Sequence, residues 1–292
     1  MKKWLYWTLI LFFSAVFCVC AWYLADYFIE SHKQKSQFDE LAQLVEQSKQ
    51  ETTPAPTEPD ETEPGETTPK ETAPSGGGEL GFLPNIKDYV TVTHPETGEK
   101  VQILREYALI FQKNPDLVGW IKIEGTVINY PVMQTPDFKD YYLVRDFYGQ
   151  SSAHGCIYVN ETSDVFKPSD NLLIHGHRMK DGSMFASLHK YKDADFWQEH
   201  SLITFDTITE HHTYQIVSVF LTTASVGEGF PYYKFIDAEN EAEFDAFVDR
   251  CKALSLYDTG VDATYGDKLI SLSTCEYSQT NGRLVVVAKR IS

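Results

Sequence analysis

The sequence predicts a mainly β fold: a closed eight-stranded barrel with an N-terminal helix and an additional helix between late strands. Three observations carry this. Eight short β-like runs, separated by turn-rich segments such as "KIEGT" and "SQTNG", fill the chain from about Val118 onward. Only one strong helical pattern interrupts them in some 200 residues, which favours closure into a barrel over a sandwich. A hydrophobic content of 42%, with 14% aromatic residues, supplies a core for one large domain or two small ones within 292 residues.

The first element lies ahead of that domain. Trp4 to Leu24 is an uncharged apolar stretch of 21 residues. At ~1.5 Å per residue it spans roughly 31 Å as a helix, matching a hydrocarbon core of about 30 Å. Lys2 and Lys3 precede it and Asp26 follows. The expectation is a signal-anchor at residues 4–24, a cytoplasmic tip at 1–3, and everything later outside the cytoplasm. A cleaved signal peptide would need an apolar core of ~7–15 residues and a small-x-small cleavage site. Neither is evident.

Residues 25–80 read as a short juxtamembrane helix followed by an extracellular stalk. Ser31 to Gln50 is polar with scattered Phe38, Leu41, Leu44 and Val45, and no functional content is expected of it. The stretch that follows is rich in Pro, Thr and Glu and cannot bury enough apolar surface to fold. At ~3.1 Å per residue, roughly thirty such residues reach up to about 90 Å when extended. Between Glu51 and Leu80 there are eight carboxylates against Lys70 alone, so the net charge of −17 belongs in good part to this linker. The acidic balance argues against nucleic acid as a partner, because phosphate binding needs basic patches.

The domain expected over 81–292 opens with a predicted helix, Val101 to Lys113, ending before Pro115. The β-like runs follow: "VGWIKI", "VINYPVM", "GCIYVN", "NLLIHG", "SLITFDT", "TYQIVSVFLTT", "KLISLST" and "RLVVVAK". The later helix is predicted over Ala238 to Leu254. There Phe244, Phe247, Val248 and Cys251 recur at helical spacing, which makes Cys251 core-facing. Of five cysteines, Cys18 and Cys20 fall in the apolar span. Cys156, Cys251 and Cys275 lie outside, an odd number without a framework spacing. A Cys156–Cys251 bridge is left open.

The chemistry concentrates in "KLISLSTC…SQTNG…RLVVVAKR". Alternation puts Ser271, Ser273 and Cys275 on one side of a strand, expected to open onto a polar surface, and Ile270, Leu272 and Thr274 on the core side. With "SQTNG" as the turn, an antiparallel return brings Arg283 close to Cys275. A cation beside a thiol favours the nucleophilic thiolate. A candidate base lies in "NLLIHGHRMKDGSMF", where a strand ending at His175 runs into Gly176 and His177, placed for solvent-accessible proton transfer. Two surface histidines at a turn is the plain alternative. His175, His177, His211 and His212 suggest a metal only weakly, since no acidic or cysteine ligand completes a set. No metal or cofactor is expected.

These motifs resemble a known family. "SLSTCEY…GRLVVVAK" resembles the Thr-Leu-Ser-Thr-Cys signature of class B sortases, with Ser271 in place of the usual threonine. "HGHRMKDGSMF" is similar to their histidine segment, and "NPDLVGWIKIEGTVINYPVMQ" to their first two strands. The resemblance runs from about Val101 to Ile291. It implies a sortase-type barrel and a membrane-bound cysteine transpeptidase of a Gram-positive surface. Carried over, Cys275 is the nucleophile, His177 the general acid/base and Arg283 the oxyanion-stabilising cation, joined by the backbone N–H of Glu276. Asn129, Met133, His175, Ser273 and Glu276 become substrate-binding positions. His175 departs from the family, where an aromatic, usually tyrosine, precedes the Gly-His pair.

The implied substrates are secreted proteins bearing a C-terminal sorting signal, cleaved at a Thr-Gly-type bond. The implied acceptor is an amine of a lipid-linked peptidoglycan precursor or a pilin lysine. Two other classes compete. A papain-like exported protease has Cys before His, the reverse of the order here, and a caspase-like one needs an α/β alternation that is missing. A catalytically silent, membrane-tethered binding module leaves the Cys-His-Arg set unexplained.

Overall fold

The computed structural model describes residues 2–50, 88–225 and 227–292. The Pro/Thr/Glu-rich stretch predicted as a stalk therefore lies outside the described residues. Eight strands close a barrel, each on one of the predicted runs: Leu117–Lys122 (β3), Asn129–Met133 (β4), Ile157–Val159 (β5), Asn171–His175 (β6), Leu202–Thr207 (β7), Thr213–Thr223 (β8), Leu269–Cys275 (β9) and Gly282–Arg290 (β10). Their order around the barrel is β10-β8-β7-β3-β4-β5-β6-β9, and β9 pairs with β10 to close it. The β4–β5 and β6–β9 pairs are parallel and the others antiparallel.

The expected helix over Val101–Lys113 is only half correct. Its first part is a strand, Lys100–Leu104 (β2), paired with Tyr89–Thr93 (β1) so that Val101 meets Val92 and Ile103 meets Val90. Those β-branched cross-strand pairs outweigh the helical reading. A 3-10 turn over Arg105–Tyr107 then leads into a short helix, Ala108–Lys113 (α2), as predicted before Pro115. A further one-and-a-half-turn helix, Ala194–Glu199 (α3), was not foreseen.

Alternation along the strands fills two cores. Leu172, Ile174, Ile270, Leu272, Leu284 and Val286 point into the barrel. Their neighbours Leu173, Leu269, Val285 and Val287 point outward and are covered by the helix Glu241–Leu254 (α4) through Phe244, Phe247, Val248 and Cys251. Strands buried on both faces read as near-continuous apolar runs, which is why "RLVVVAK" and "NLLIHG" lack alternation. Asn240 caps α4 by accepting the Glu243 N–H at 3.2 Å, so the helix starts three residues later than predicted. Cys156 and Cys251 are both buried and free, in the inner and outer cores respectively.

A single helix, Lys2–Gln50 (α1), holds both the apolar span and the segment after it. Trp4 to Leu24 is exposed almost throughout, and α1 is the one helix among the described residues long and apolar enough to cross a membrane. Beyond it, Gln34, Phe38, Leu41 and Val45 recur at helical spacing and are buried against the barrel domain. The Phe38 ring meets Tyr130 of β4 edge-on at 5.2 Å. The polar helix expected to be a mere connector is thus packed onto the domain.

Candidate active site

Strand register sets the site. Across the parallel β6–β9 pair His175 stands beside Ser273. His177 follows β6 by two residues, across Gly176, and Cys275 ends β9 two residues after Ser273. Across β9–β10, Cys275 stands directly opposite Arg283. His177, Cys275 and Arg283 all line one groove of about 390 Å³ together with His175 and Ser273.

Glycine makes the histidine turn possible. A Cβ on Gly176 would lie 2.5 Å from Ile157 Cδ1 and 2.6 Å from Phe185 Cδ2, so only glycine lets β6 pass this close. The Gly176 N–H donates to the Ser273 carbonyl at 3.2 Å, prolonging the β6–β9 contact toward His177. His177 Nε2 donates to the Leu143 carbonyl at 2.8 Å. A carbonyl only accepts, so in the neutral ring Nε2 carries the hydrogen and Nδ1 is the basic nitrogen. Leu143 belongs to the 3-10 turn Tyr141–Val144, whose preceding residue Asp140 holds a left-handed φ of 51°. The Asp140 carboxylate accepts from Tyr158 Oη at 2.7 Å and fixes that wall of the groove. Backbone strain of this kind is retained where the surroundings over-determine it.

His175 has a different character. Burial of its ring, with the Arg283 charge acting in the same sense against Asp140, pushes its pKa down to about 4. It is therefore neutral near pH 7 and packs 5.3 Å from the Tyr158 ring, its cross-strand neighbour. Arg283 donates to the carbonyls of Asn281 and Gly282, at 3.3 and 3.0 Å, and has no carboxylate partner among the described residues.

The face carrying Ser271 and Ser273 does not open onto a polar surface as expected. Both serines are buried beneath the segment before α4. Ser271 donates to Asn171 Oδ1 at 2.8 Å, and Ser273 shares a 2.6 Å hydrogen bond with Tyr232 Oη. Only the end of the strand, at Cys275, is partly exposed.

Three of the residues expected to bind substrate do not line this groove. Met133 is fully buried in the barrel core, because its strand faces inward there. Asn129 accepts from Trp120 Nε1 at 2.7 Å and lines a different cavity, between α1 and β4. Glu276 turns away from the groove. Burial opposes its ionisation, but hydrogen bonds from Lys192 at 2.6 Å and from Ser278 overcome this and hold its pKa at about 2. The Glu276 N–H donates to the Gly282 carbonyl at 2.9 Å, so in this structure it is committed to the hairpin and not available as an oxyanion donor.

Several groove residues escaped the sequence. Tyr232 and Tyr233 come from "FPYYKF", an aromatic loop whose only signal was its composition, and Tyr158 from the predicted run "GCIYVN". His189 was missed entirely; its Nε2 donates to the Cys275 carbonyl at 2.9 Å and braces the end of β9. His211 and His212 lie away from the groove, paired with Asp206 and Glu106 and with Glu210 respectively.

Comparison with known proteins identifies the family. Residues 121–291 match the sortase domain family. Sortase B of Staphylococcus aureus is 36% identical over 180 residues, 61% of this chain and 71% of that protein. Sortase B of Listeria monocytogenes is 33% identical over 181 residues, with the same coverage. Among solved structures, a Staphylococcus aureus sortase B–substrate complex superposes with a TM-score of 0.67 at 26% identity, covering 90% of this chain and 99% of that one. Sortase B from B. anthracis in complex with AAEK1 gives 0.64 at 27% identity, covering 91% and 99%. With the barrel, the domain match and these relatives in hand, the chain belongs to the sortase family, on its sortase B side, and is a cysteine transpeptidase.

Proposed function

We propose that Cys275 is the nucleophile, His177 the general acid/base and Arg283 the oxyanion-stabilising cation of a reaction that moves secreted proteins onto an amine. The observation that supports this reading is that these three side chains line one groove, with Arg283 directly opposite Cys275 across β9–β10. Cys275 gives its thiol proton to His177 as Sγ attacks the carbonyl carbon of a Thr-Gly-type bond in a C-terminal sorting signal, and negative charge develops on the carbonyl oxygen beside Arg283. The C–N bond breaks as His177 gives a proton to the departing amine, leaving a thioacyl-enzyme. The incoming amine attacks the thioester, His177 takes its proton, and the Cys275 thiolate leaves.

His175, Ser273 and the tyrosines Tyr158, Tyr232 and Tyr233 are the walls against which the signal peptide lies. The acceptor is an amine of a lipid-linked peptidoglycan precursor, with a pilin lysine as the alternative outcome of the test. Residues 4–24 act as a single-pass anchor with 1–3 inside and the catalytic domain extracellular. Aromatic residues at both ends of the span, Trp4, Tyr6 and Trp7 against Trp22, Tyr23 and Tyr27, support that reading, since such residues favour the membrane–water interface.

A small library of sorting peptides, incubated with the full chain in detergent with and without triglycine or a pilin-type lysine peptide, tests the proposal. Peptide–amine ligation that survives chelator is the expected product. Hydrolysis unchanged by every amine would favour the exported protease. Absence of any cleavage would favour the binding module.

A further inference from the structure

The anchor helix meets the barrel directly, and it does so at the histidine loop. Tyr27 stacks on His154 at 6.4 Å, Glu30 accepts the Ala153 N–H at 2.9 Å, and Ser31 donates to the Asp181 carboxylate. Gln34 follows with a 2.6 Å hydrogen bond to Ser152. Asp181 lies four positions after His177 and also accepts from His154 Nε2 at 3.1 Å and from Ser183 at 2.6 Å. These bonds draw its pKa well down against the cost of burial, so the hub stays ionised. Higher on the same helix, Phe38, Leu41 and Val45 are buried in the barrel domain's core.

Distance along the helix is fixed by geometry. Tyr27, Glu30 and Ser31 are three, six and seven residues past Leu24, or about 5–10 Å at ~1.5 Å per residue. The polar layer outside the hydrocarbon is roughly 5–7 Å deep on each side of a bilayer. No proline or glycine interrupts α1 from Lys2 to Gln50, so nothing in its sequence provides a hinge. Residues 51–87 join two places on one body, since Val45 of α1 and Val90 of β1 belong to the same packed core. The length of that linker therefore does not set the height of the barrel.

We infer that α1 is a rigid mount seating the barrel on the outer lipid headgroup layer, with the loops at 152–154 and 178–183 lowest, so that the groove meets substrates and acceptor amines held in that layer. This rests on the membrane reading of Trp4–Leu24. It reverses the role expected of residues 51–80, which serve as a return connection and not as a spacer.

The test uses the full chain in phosphatidylcholine–phosphatidylglycerol vesicles. A fluorophore is placed at Lys180→Cys or Glu210→Cys, with Cys18, Cys20 and Cys275 changed to Ala. Lys180 neighbours the Asp181 hub, whereas Glu210 lies at the far end of α1, where His211 feels the Lys49 charge. Headgroup-attached spin label should quench the Lys180 site and spare the Glu210 site. A 20-residue Gly/Ser insert, adding roughly 25 Å of reach, should abolish that quenching when placed between Asp26 and Tyr27. The same insert between Gly76 and Gly77 should leave it intact. Equal quenching at both sites, or quenching indifferent to the Asp26–Tyr27 insert, would overturn the inference.

In otherwise unaltered chains, the Asp26–Tyr27 insert should slow transfer to lipid-coupled triglycine about tenfold while sparing soluble triglycine. Equal slowing by both inserts would again overturn it. A chain stripped from the vesicles by alkaline carbonate would refute the membrane span itself, and the mount with it.

Discussion

Arg283 stands directly opposite Cys275 in the antiparallel β9–β10 pair, the first residue pair after the hairpin turn. Its guanidinium is held by the turn carbonyls of Asn281 and Gly282 and faces the groove without a carboxylate partner among the described residues. In the proposed mechanism a fixed cation there stabilises the oxyanion without reorganising. With the Glu276 N–H committed to Gly282, the dependence on Arg283 is greater still. Removing an oxyanion donor costs about 10²–10³ in kcat, or ~2.7–4 kcal/mol. Arg283→Ala should lose at least that much with the barrel folded by circular dichroism. Arg283→Lys should recover only part, because an ammonium lacks the planar fork of donors. Near-normal kcat in Arg283→Ala, beside an inactive Cys275→Ala, would remove arginine from the mechanism.

The two histidines should separate kinetically. His177 lines the groove with Cys275, whereas His175 is desolvated, with its pKa pushed down to about 4, and packs on Tyr158. His177→Ala should abolish turnover, a loss of roughly 10²–10⁴ for a general acid/base. His175→Ala should mainly raise KM for the sorting peptide. The reverse split of kcat and KM would move proton transfer to His175.

Gly176 offers a test of how tightly the histidine strand is seated. In Gly176→Ala the new methyl would crowd Ile157 and Phe185, at 2.5 and 2.6 Å, and overpacking of this kind costs about 1–3 kcal/mol. We expect a lower denaturation midpoint and a lower kcat, both partly restored by adding Phe185→Leu. A Gly176→Ala protein as stable and active as wild type would show that the strand can shift freely.

His211 provides a pH signature outside the groove. Its hydrogen bond to Asp206, 2.9 Å away, raises its pKa against burial, with Glu106 adding to the effect. A group whose folded pKa is raised adds stability that is fully present below its unfolded value, ~6.5, and is lost as pH rises through the folded value. His211→Gln should therefore lower Tm more at pH 5.5 than at pH 8.5. Because His189 and His212 shift downward and act in the opposite sense, the measurement is the difference between variant and parent at each pH. An equal drop at both would detach the pair from stability.

What the sequence determined by itself is local. The alternation and turn residues of "KLISLSTC…SQTNG…RLVVVAKR" dictate a hairpin, and a hairpin of that loop length puts Arg283 against Cys275 whatever surrounds it. The same holds for the helical spacing that buries Cys251 and for the apolar length of Trp4–Leu24. Tertiary structure decided whatever depends on which strands become neighbours. β6, which leads into His177, and β9, which ends at Cys275, are joined by a parallel pairing across a long intervening segment, and no periodicity encodes that register. The proton-bearing nitrogen of His177 depends on a backbone carbonyl at Leu143, a group every residue carries and which therefore leaves no mark in the sequence. Ser271 and Ser273 alternate as a solvent face would, yet the segment before α4 folds over them. The polar helix after the span looked idle because a four-residue apolar stripe is too short to announce its partner; only the packed barrel shows that Phe38, Leu41 and Val45 have one.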